Sequence, residues 1–449
     1  MYTKLIHLLF AVLSTALPFC ETALTAPPPN VIFILSDDQG WNDIGYHNPE
    51  LRTPHLDQLA REGVELDAHY VQPQCTPTRV ALLTGRYPSR FGTHCLVAST
   101  EQAIPLGTPT LATLFQSKGY ATALCGKWHL GSKPEYGPNH YGFEHSYGLL
   151  SGAVGVYDHR YRLGTPYEKS WHRNLVQFEE EGNVMDLITR EAVQWIESHR
   201  DAPYFLYVPF TAAHTPIVPK EEWLSVNAHI ADEERRMYAA VLSQLDDSVG
   251  KIVAALDATG QRENTLVVYS SDNGAQVDHS GNAYPGPDPA LTKFSSNLPL
   301  RGKKTQAYEG GIRVPAFANW PGRLSARKVS APMHMVDWMP TFAKLIGADA
   351  PAGVLDGVEL WPVLNGVGDS TAERVVYQVW GKFRQWEALR SGDWKIVRSR
   401  GKQGDETPWE LYQLAVDPNE TKNLATAHPE KLQELKERFA VERDKDALK

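Results

Sequence analysis

Four short runs of apolar residues, at 30–35, 121–125, 204–209 and 265–270, lack the alternation of a half-exposed strand. Continuous apolar strands are those buried on both faces, as in a parallel sheet covered by helices. Helix-like segments lie between them, and those at 110–118 and 235–258 are each stopped by a glycine, Gly119 and Gly260. Strands alternating with helices predict an α/β fold with a mostly parallel central sheet flanked by helices. In such folds ligands gather beyond the carboxyl ends of the strands. Asp37 and Asp38, Lys127 and His129, His214, and Asp272 and Asn273 all follow a predicted strand end. That shared address predicts one site.

The pattern changes after about residue 356. Segments 375–380, 387–398 and 410–413 alternate like antiparallel strands, with a turn at Ser391-Gly392-Asp393, and a charged helix is expected over 429–446. The organisation expected is therefore a catalytic domain over 27–356 and a smaller C-terminal subdomain over 357–449, made of antiparallel strands and a closing helix. Residues 281–298 are rich in Pro and Gly and read as a long loop that overhangs the site.

With 42% hydrophobic and 22% charged residues in 449, the composition is that of an ordinary globular chain. A net charge of −9 argues against general binding to nucleic acid or anionic membranes, so attraction for an anion must come from a local cluster. The first 26 residues differ: Lys4 precedes the apolar run 5–19, and small residues lead to Ala26 before Pro27. This predicts a secretory signal peptide over 1–26, a secreted or periplasmic protein, and no membrane span after its removal. Cys75, Cys95 and Cys125 then remain, an odd count that is no disulfide framework and leaves a Cys95–Cys125 bridge open.

The candidate chemistry centres on Cys75-Thr76-Pro77-Thr78-Arg79, with Leu83-Thr84-Gly85-Arg86 behind it. A lone cysteine is most often an inert buried residue. Here Arg79 lies one helical turn after Cys75 on the same face, and Pro77 suits a first turn. A nucleophile at a helix N-terminus beside a cation is a setting that favours anions. Asp37-Asp38 and Asp272-Asn273 offer the oxygen donors a hard cation wants, although such pairs alone are usually turns or caps. Lys127 and His129 can point the same way only if their segment is extended. Arg301-Gly302-Lys303-Lys304 runs into Tyr308-Glu309-Gly310-Gly311-Ile312-Arg313.

Together these segments, across roughly residues 30–425, resemble the type I, formylglycine-dependent sulfatases of the alkaline phosphatase superfamily. The resemblance implies that Cys75 is oxidised to formylglycine by a formylglycine-generating or sulfatase-maturating enzyme, and that the hydrated aldehyde attacks sulfur. It implies that Asp37, Asp38, Asp272, Asn273 and the modified residue 75 hold one Ca2+, with Mg2+ second. Arg79 would then hold the hydroxylated residue and His129 assist its collapse, while Lys127, Lys304 and His214 bind sulfate and His214 protonates the leaving oxygen. Spacing to the Gly-Gly pair selects Lys304 over Lys303. The stretch from Gln72 to Gly131, with Gly142-Phe143 and Tyr147-Gly148, looks most like the N-acetylgalactosamine-4-sulfatase (arylsulfatase B) branch. That favours a sulfated saccharide substrate, with Tyr157, His159, Arg160, Trp171 and His172 as candidate sugar contacts. Three alternatives stay open: a phosphodiester or phosphonate monoester hydrolase of the same superfamily, a secreted sulfated-glycan-binding protein of weak activity, and a metal-dependent phosphatase, which Cys75 disfavours.

Overall fold

The four apolar runs are neighbours in one ten-stranded sheet of a computed structural model, which describes residues 27–161, 168–284, 286–351, 354–368, 374–401 and 405–447. The leader expected at 1–26 lies outside the described residues. In chain order the strands are β1 (Asn30–Ser36), β2 (Val64–Leu66), β3 (Ala121–Lys127), β4 (His145–Leu149), β5 (Trp171–Arg173), β6 (Val176–Gln177), β7 (Tyr204–Pro209), β8 (Thr265–Ser271), β9 (Ala316–Asn319) and β10 (Arg327–Val329). Across the sheet they run β10-β2-β9-β8-β1-β7-β3-β4-β5-β6. The central strands β8, β1, β7, β3 and β4 are mutually parallel, and β9, β5 and β6 pair antiparallel toward the edges.

The apolar runs are continuous because successive residues enter two different cores. Val31, Phe33 and Leu35 pack on one face with Leu266, Val268 and Tyr207, while Ile32 and Ile34 pack on the other with Val267, Tyr269 and Leu206. The first face is covered by helices α2 (Cys75–Thr84), α3 (Leu111–Gln116) and α6 (Trp338–Ile346). The second is covered by α1 (Pro54–Glu62), α4 (Val184–Ser198) and α5 (Glu233–Ala258). Cys95 lies in the first core and Cys125 in the second, and both thiols are unpaired, which closes the bridge left open above.

The C-terminal strands Val375–Trp380, Trp386–Ser391, Trp394–Ser399 and Glu410–Gln413 form an antiparallel four-stranded sheet, closed by helix Pro429–Arg443. The segment 387–398 is two strands, because the backbone turns at Gly392, whose φ of 56° suits glycine. The loop expected over 281–298 contains one short strand, Leu291–Thr292, paired antiparallel with Asp278–His279. Among the described residues, no helix is long and apolar enough to cross a membrane.

Candidate active site

Three strand ends and one helix start converge. β1 delivers Asp37 and Asp38, β8 delivers Asp272 and Asn273, β3 ends in Lys127, and α2 begins at Cys75. Asp38 and His129 adopt left-handed backbone, with φ of 61° and 60°. That conformation costs a non-glycine residue on the order of 1 kcal/mol or more, and such strain gathers at functional sites. The turn at His129 replaces the extended segment expected there. Its ring lies against Gly152, where a Cβ would come within 2.3 Å of Nε2, so any larger residue there would displace the imidazole.

The charges are paired closely. Lys127 Nζ meets Asp37 Oδ2 at 2.5 Å, and Lys304 Nζ meets Asp38 Oδ2 at 2.7 Å and Gln276 Oε1 at 3.2 Å. Arg79 donates from Nη2 to Asp272 Oδ2 and from Nη1 to the Lys127 carbonyl, both at 2.8 Å, and lies 3.7 Å from Asp37. Lys303 instead turns outward to Asp278. Three buried carboxylates thus face three cations. Burial opposes the charge on Arg79 and Lys304, but the neighbouring acidic groups outweigh it and raise both above their ordinary values.

Cys75 is 2% exposed, and burial raises its thiol while Lys127 and Lys304 pull it back down. Burial, Lys127 and Arg79 together push His129 well down, so its imidazole is neutral. His214 Nδ1 lies 2.6 Å from the Thr215 carbonyl, which can only accept, so this nitrogen carries the proton. Nε2 is left facing Asp38 Oδ2 at 3.6 Å. Burial, with Lys304 and Lys127, holds His214 down to about 3 against the pull of Asp38.

A hard cation fits this donor set. Asp37 Oδ1 and Asn273 Oδ1 are buried and have no hydrogen-bond partner, a costly state for polar atoms unless something else binds them. Asn273 Nδ2 donates to Asp38 Oδ1 at 2.6 Å, which fixes the amide with its oxygen free. Burial and the Asp272 charge push Asp37 up to about 8, so the carboxylate cluster has room for more positive charge. Ligand atoms of Asp37, Asp38 and His214 also lie within 4.8 Å of one another.

The loop carrying Lys304 is held to the segment after Asp272-Asn273 by main chain. Lys304 N donates to the Ala275 carbonyl, and a Cβ at Gly274 would fall 1.8 Å from the Gly310 oxygen. Behind Gly310, sequence reasoning missed a buried relay into the C-terminal sheet. Lys395 Nζ bridges Glu309 Oε1 and Glu420 Oε1, both at 2.8 Å, and Tyr70 donates to Glu309 Oε2 at 2.6 Å. Burial and the Glu309 charge push Glu420 up to about 7, whereas Lys395 and the nearby arginines hold Glu309 down despite burial. The only local signal was the run around Glu309. Lys395→Met is expected to cost about 3–5 kcal/mol, because it removes the cation shared by two buried carboxylates. Adding Glu420→Gln should recover part of that loss in denaturant melts. Equal losses in the single and double variants would show that Lys395 acts through packing alone.

The expected sugar contacts divide. Tyr157 is 47% exposed, and Arg160 is exposed and pairs with Glu179 at 2.7 Å. His159, His172 and Trp171 are corrected to structural residues, each no more than 2% exposed. His172 bonds the Gly148 carbonyl through Nδ1 and Ser146 Oγ through Nε2, leaving no ring nitrogen for a ligand. His159 stacks on Trp171 at 4.5 Å and bonds the Gly182 carbonyl. For His172 and Trp171 the cause is the sheet edge, where β5 pairs antiparallel with β4 and buries both rings.

The sequence pattern of the sulfatase family matches residues 29–348, and that of the N-sulphoglucosamine sulphohydrolase C-terminal region matches 303–445. Mouse arylsulfatase J is 31% identical, over 94% of this chain and 77% of its own length. Human arylsulfatase A is 32% identical, over 94% and 89%, and dog N-acetylgalactosamine-6-sulfatase is 33% identical, over 81% and 74%. Among solved structures, Ps i-CgsB in complex with k-i-k-neocarrahexaose superposes with a TM-score of 0.82 at 29% identity, covering 93% of each chain.

Proposed function

Because this chain belongs to the sulfatase family and is a sulfuric ester hydrolase, we propose that it removes sulfate from a sulfated saccharide, using a formylglycine made from Cys75 and one Ca2+. The observation that carries this reading is Cys75 at the start of α2, surrounded by Arg79, Lys127, Lys304 and a carboxylate set that leaves two buried oxygens unpartnered. The saccharide reading is supported by relatives and structural neighbours that include N-acetylgalactosamine-6-sulfatase and a complex with neocarrahexaose. Those names take in 6-sulfatases and arylsulfatases A and J beside the 4-sulfatase branch, so the sulfate position is decided by assay. The reading also includes export through the 1–26 leader and maturation by a formylglycine-generating or sulfatase-maturating enzyme.

Asp37, Asp38, Asp272 and Asn273 would hold the cation, which would stabilise the ionised nucleophile. The formylglycine would supply a geminal diol, whose second hydroxyl allows sulfate release that a plain serine ester would resist. Lys127 and Lys304 bind the sulfate oxygens in a water-poor pocket, where fixed charges act most strongly. Arg79, tied to Asp272 and the Lys127 carbonyl, fixes residue 75 one helical turn away. His129, neutral, accepts a proton. His214 needs a proton on Nε2 before it can give one to the leaving oxygen, and a bound sulfate anion favours that protonation.

The test is sulfate release from monosulfated hexosamines and carrageenan oligosaccharides, measured beside phosphonate monoesters and phosphodiesters. A kcat/KM at least about 100-fold higher for a sulfated saccharide is expected, some 2.7 kcal/mol of transition-state preference. A preference for the phosphorus esters would overturn the reading.

A further inference from the structure

Two loops outside the charged cluster meet through a pair of tyrosine rings. Tyr161 ends a short strand pair with Glu168–Lys169, and Tyr284 lies in the loop that follows Asp278–His279. Their ring centroids are 6.4 Å apart, and the His279 ring stacks near Tyr284, also at 6.4 Å. The loop is fixed from beneath. Asp288 accepts the backbone N–H of Ala283 and of Tyr284, and pairs with His279 Nε2 at 2.7 Å. Its base is tied by Thr292, whose N–H donates to Glu234.

Both loops lead out of the charged site: Gln276, two residues before Asp278, accepts from Lys304 Nζ at 3.2 Å, and Gly152, nine residues before Tyr161, lies against the His129 ring. Tyr161 is within electrostatic reach of Lys127 and Cys75, and Tyr284 of Lys304, Asp37 and Asp38. Burial raises both phenols, so the pair adds no charge at any working pH. Each ring keeps part of its surface open to solvent. The site is therefore polar and ionic at its floor and aromatic at its rim. That matches a ligand with an anionic group on a ring whose C–H face is apolar.

We propose that Tyr161 and Tyr284 form a preorganised aromatic wall that binds the sugar ring of the sulfated saccharide and sets specificity for pyranose sulfates. The proposal rests on the saccharide sulfatase reading and assigns its ring-binding residues. His279 and Asp288 are positioning residues that hold Tyr284 in place.

Calorimetric binding of N-acetylgalactosamine 4-sulfate, N-acetylgalactosamine 6-sulfate and a sulfated neocarrabiose to the full chain in calcium buffer provides the test, every protein being measured in a Cys75→Ala background so that no sulfate is released, with inorganic sulfate as the ringless control. Tyr284→Ala and Tyr161→Ala should each weaken the saccharide that binds the wild type by roughly tenfold, the loss of one stacking contact. Inorganic sulfate should stay within about twofold, which also reports an intact fold. Tyr284→Phe should behave as wild type, whereas His279→Ala should partly reproduce Tyr284→Ala. Equal loss of saccharide and sulfate, no loss of saccharide, or absence of saccharide binding by the wild type would each overturn the proposal. The two readings fail separately. Wall-dependent saccharide binding with no sulfate release when Cys75 is present would sink the sulfatase reading alone, and sulfate release indifferent to both variants would sink the wall alone.

Discussion

Cys75→Ala is expected to reduce sulfate release by about 10⁴-fold or more, a barrier increase of roughly 5 kcal/mol or above, while leaving the protein folded. Fold and activity separate here for a structural reason. Cys75 occupies the first position of α2, where alanine is a good helix former, and the change removes a single sulfur atom. The neighbouring anchors, Thr76 Oγ1 on the His129 carbonyl and Arg79 on Asp272, do not involve the thiol. The thiol itself is a poor nucleophile in this setting, because burial holds it protonated. Mass spectrometry of the tryptic peptide ending at Arg79 should therefore find the aldehyde in active protein, in proportion to specific activity. Cys75→Ser should be active only in a host whose maturating enzyme accepts serine. Full activity in a sample whose residue 75 is entirely unmodified cysteine would falsify the nucleophile assignment.

The parts of this site legible in the sequence were those close in sequence to a buried strand end. A strand such as Asn30–Ser36, buried at every position, can only be followed by polar residues where the sheet opens, so Asp37 and Asp38 announced themselves. The same holds for Lys127, Asp272 and Asn273 after their strands. Lys304 needed the Gly310-Gly311 spacing, and the main-chain contact between Gly274 and Gly310 explains why that spacing is informative. Other features were not legible. Lys395 reaches Glu309 across 86 residues, and no local pattern marks a side chain whose partners lie on a distant helical turn and a separate loop. Tyr161 and Tyr284 sit in loops, where hydrophobic periodicity carries no signal. His172 misled for the opposite reason: a polar ring in a chemistry-rich stretch is buried because two local oxygens satisfy it.

Asp38→Asn is expected to lower activity by about 10³-fold and to remove the chelator sensitivity of the fold. In the proposed site, Asp38 is where the cation-binding and sulfate-binding halves would meet. Its Oδ2 pairs with Lys304 at 2.7 Å, and its Oδ1 takes the amide of Asn273 at 2.6 Å. Burial alone would raise this carboxyl, but Lys304 and His214 hold it down to about 2, so it is ionised throughout the neutral range. Neutralising it removes a metal-ligand charge and strands the Lys304 ammonium, a loss on the order of 3 kcal/mol for a broken buried pair. Metal binding and destabilisation can then be told apart by comparing melts. A ligand bound only by the folded state adds stability of about 2.7 kcal/mol when present at 100 times its Kd. Chelation should therefore lower the Tm of the wild type, and calcium should restore it better than magnesium, because a set of several protein oxygens suits the larger coordination number of calcium. Asp38→Asn should begin at the lower Tm and respond to neither chelator nor calcium. A variant that kept its metal content and its chelator response would show that the cation is held without Asp38. The charge balance derived for the pocket would then have to be rebuilt around Asp37, Asp272 and His214.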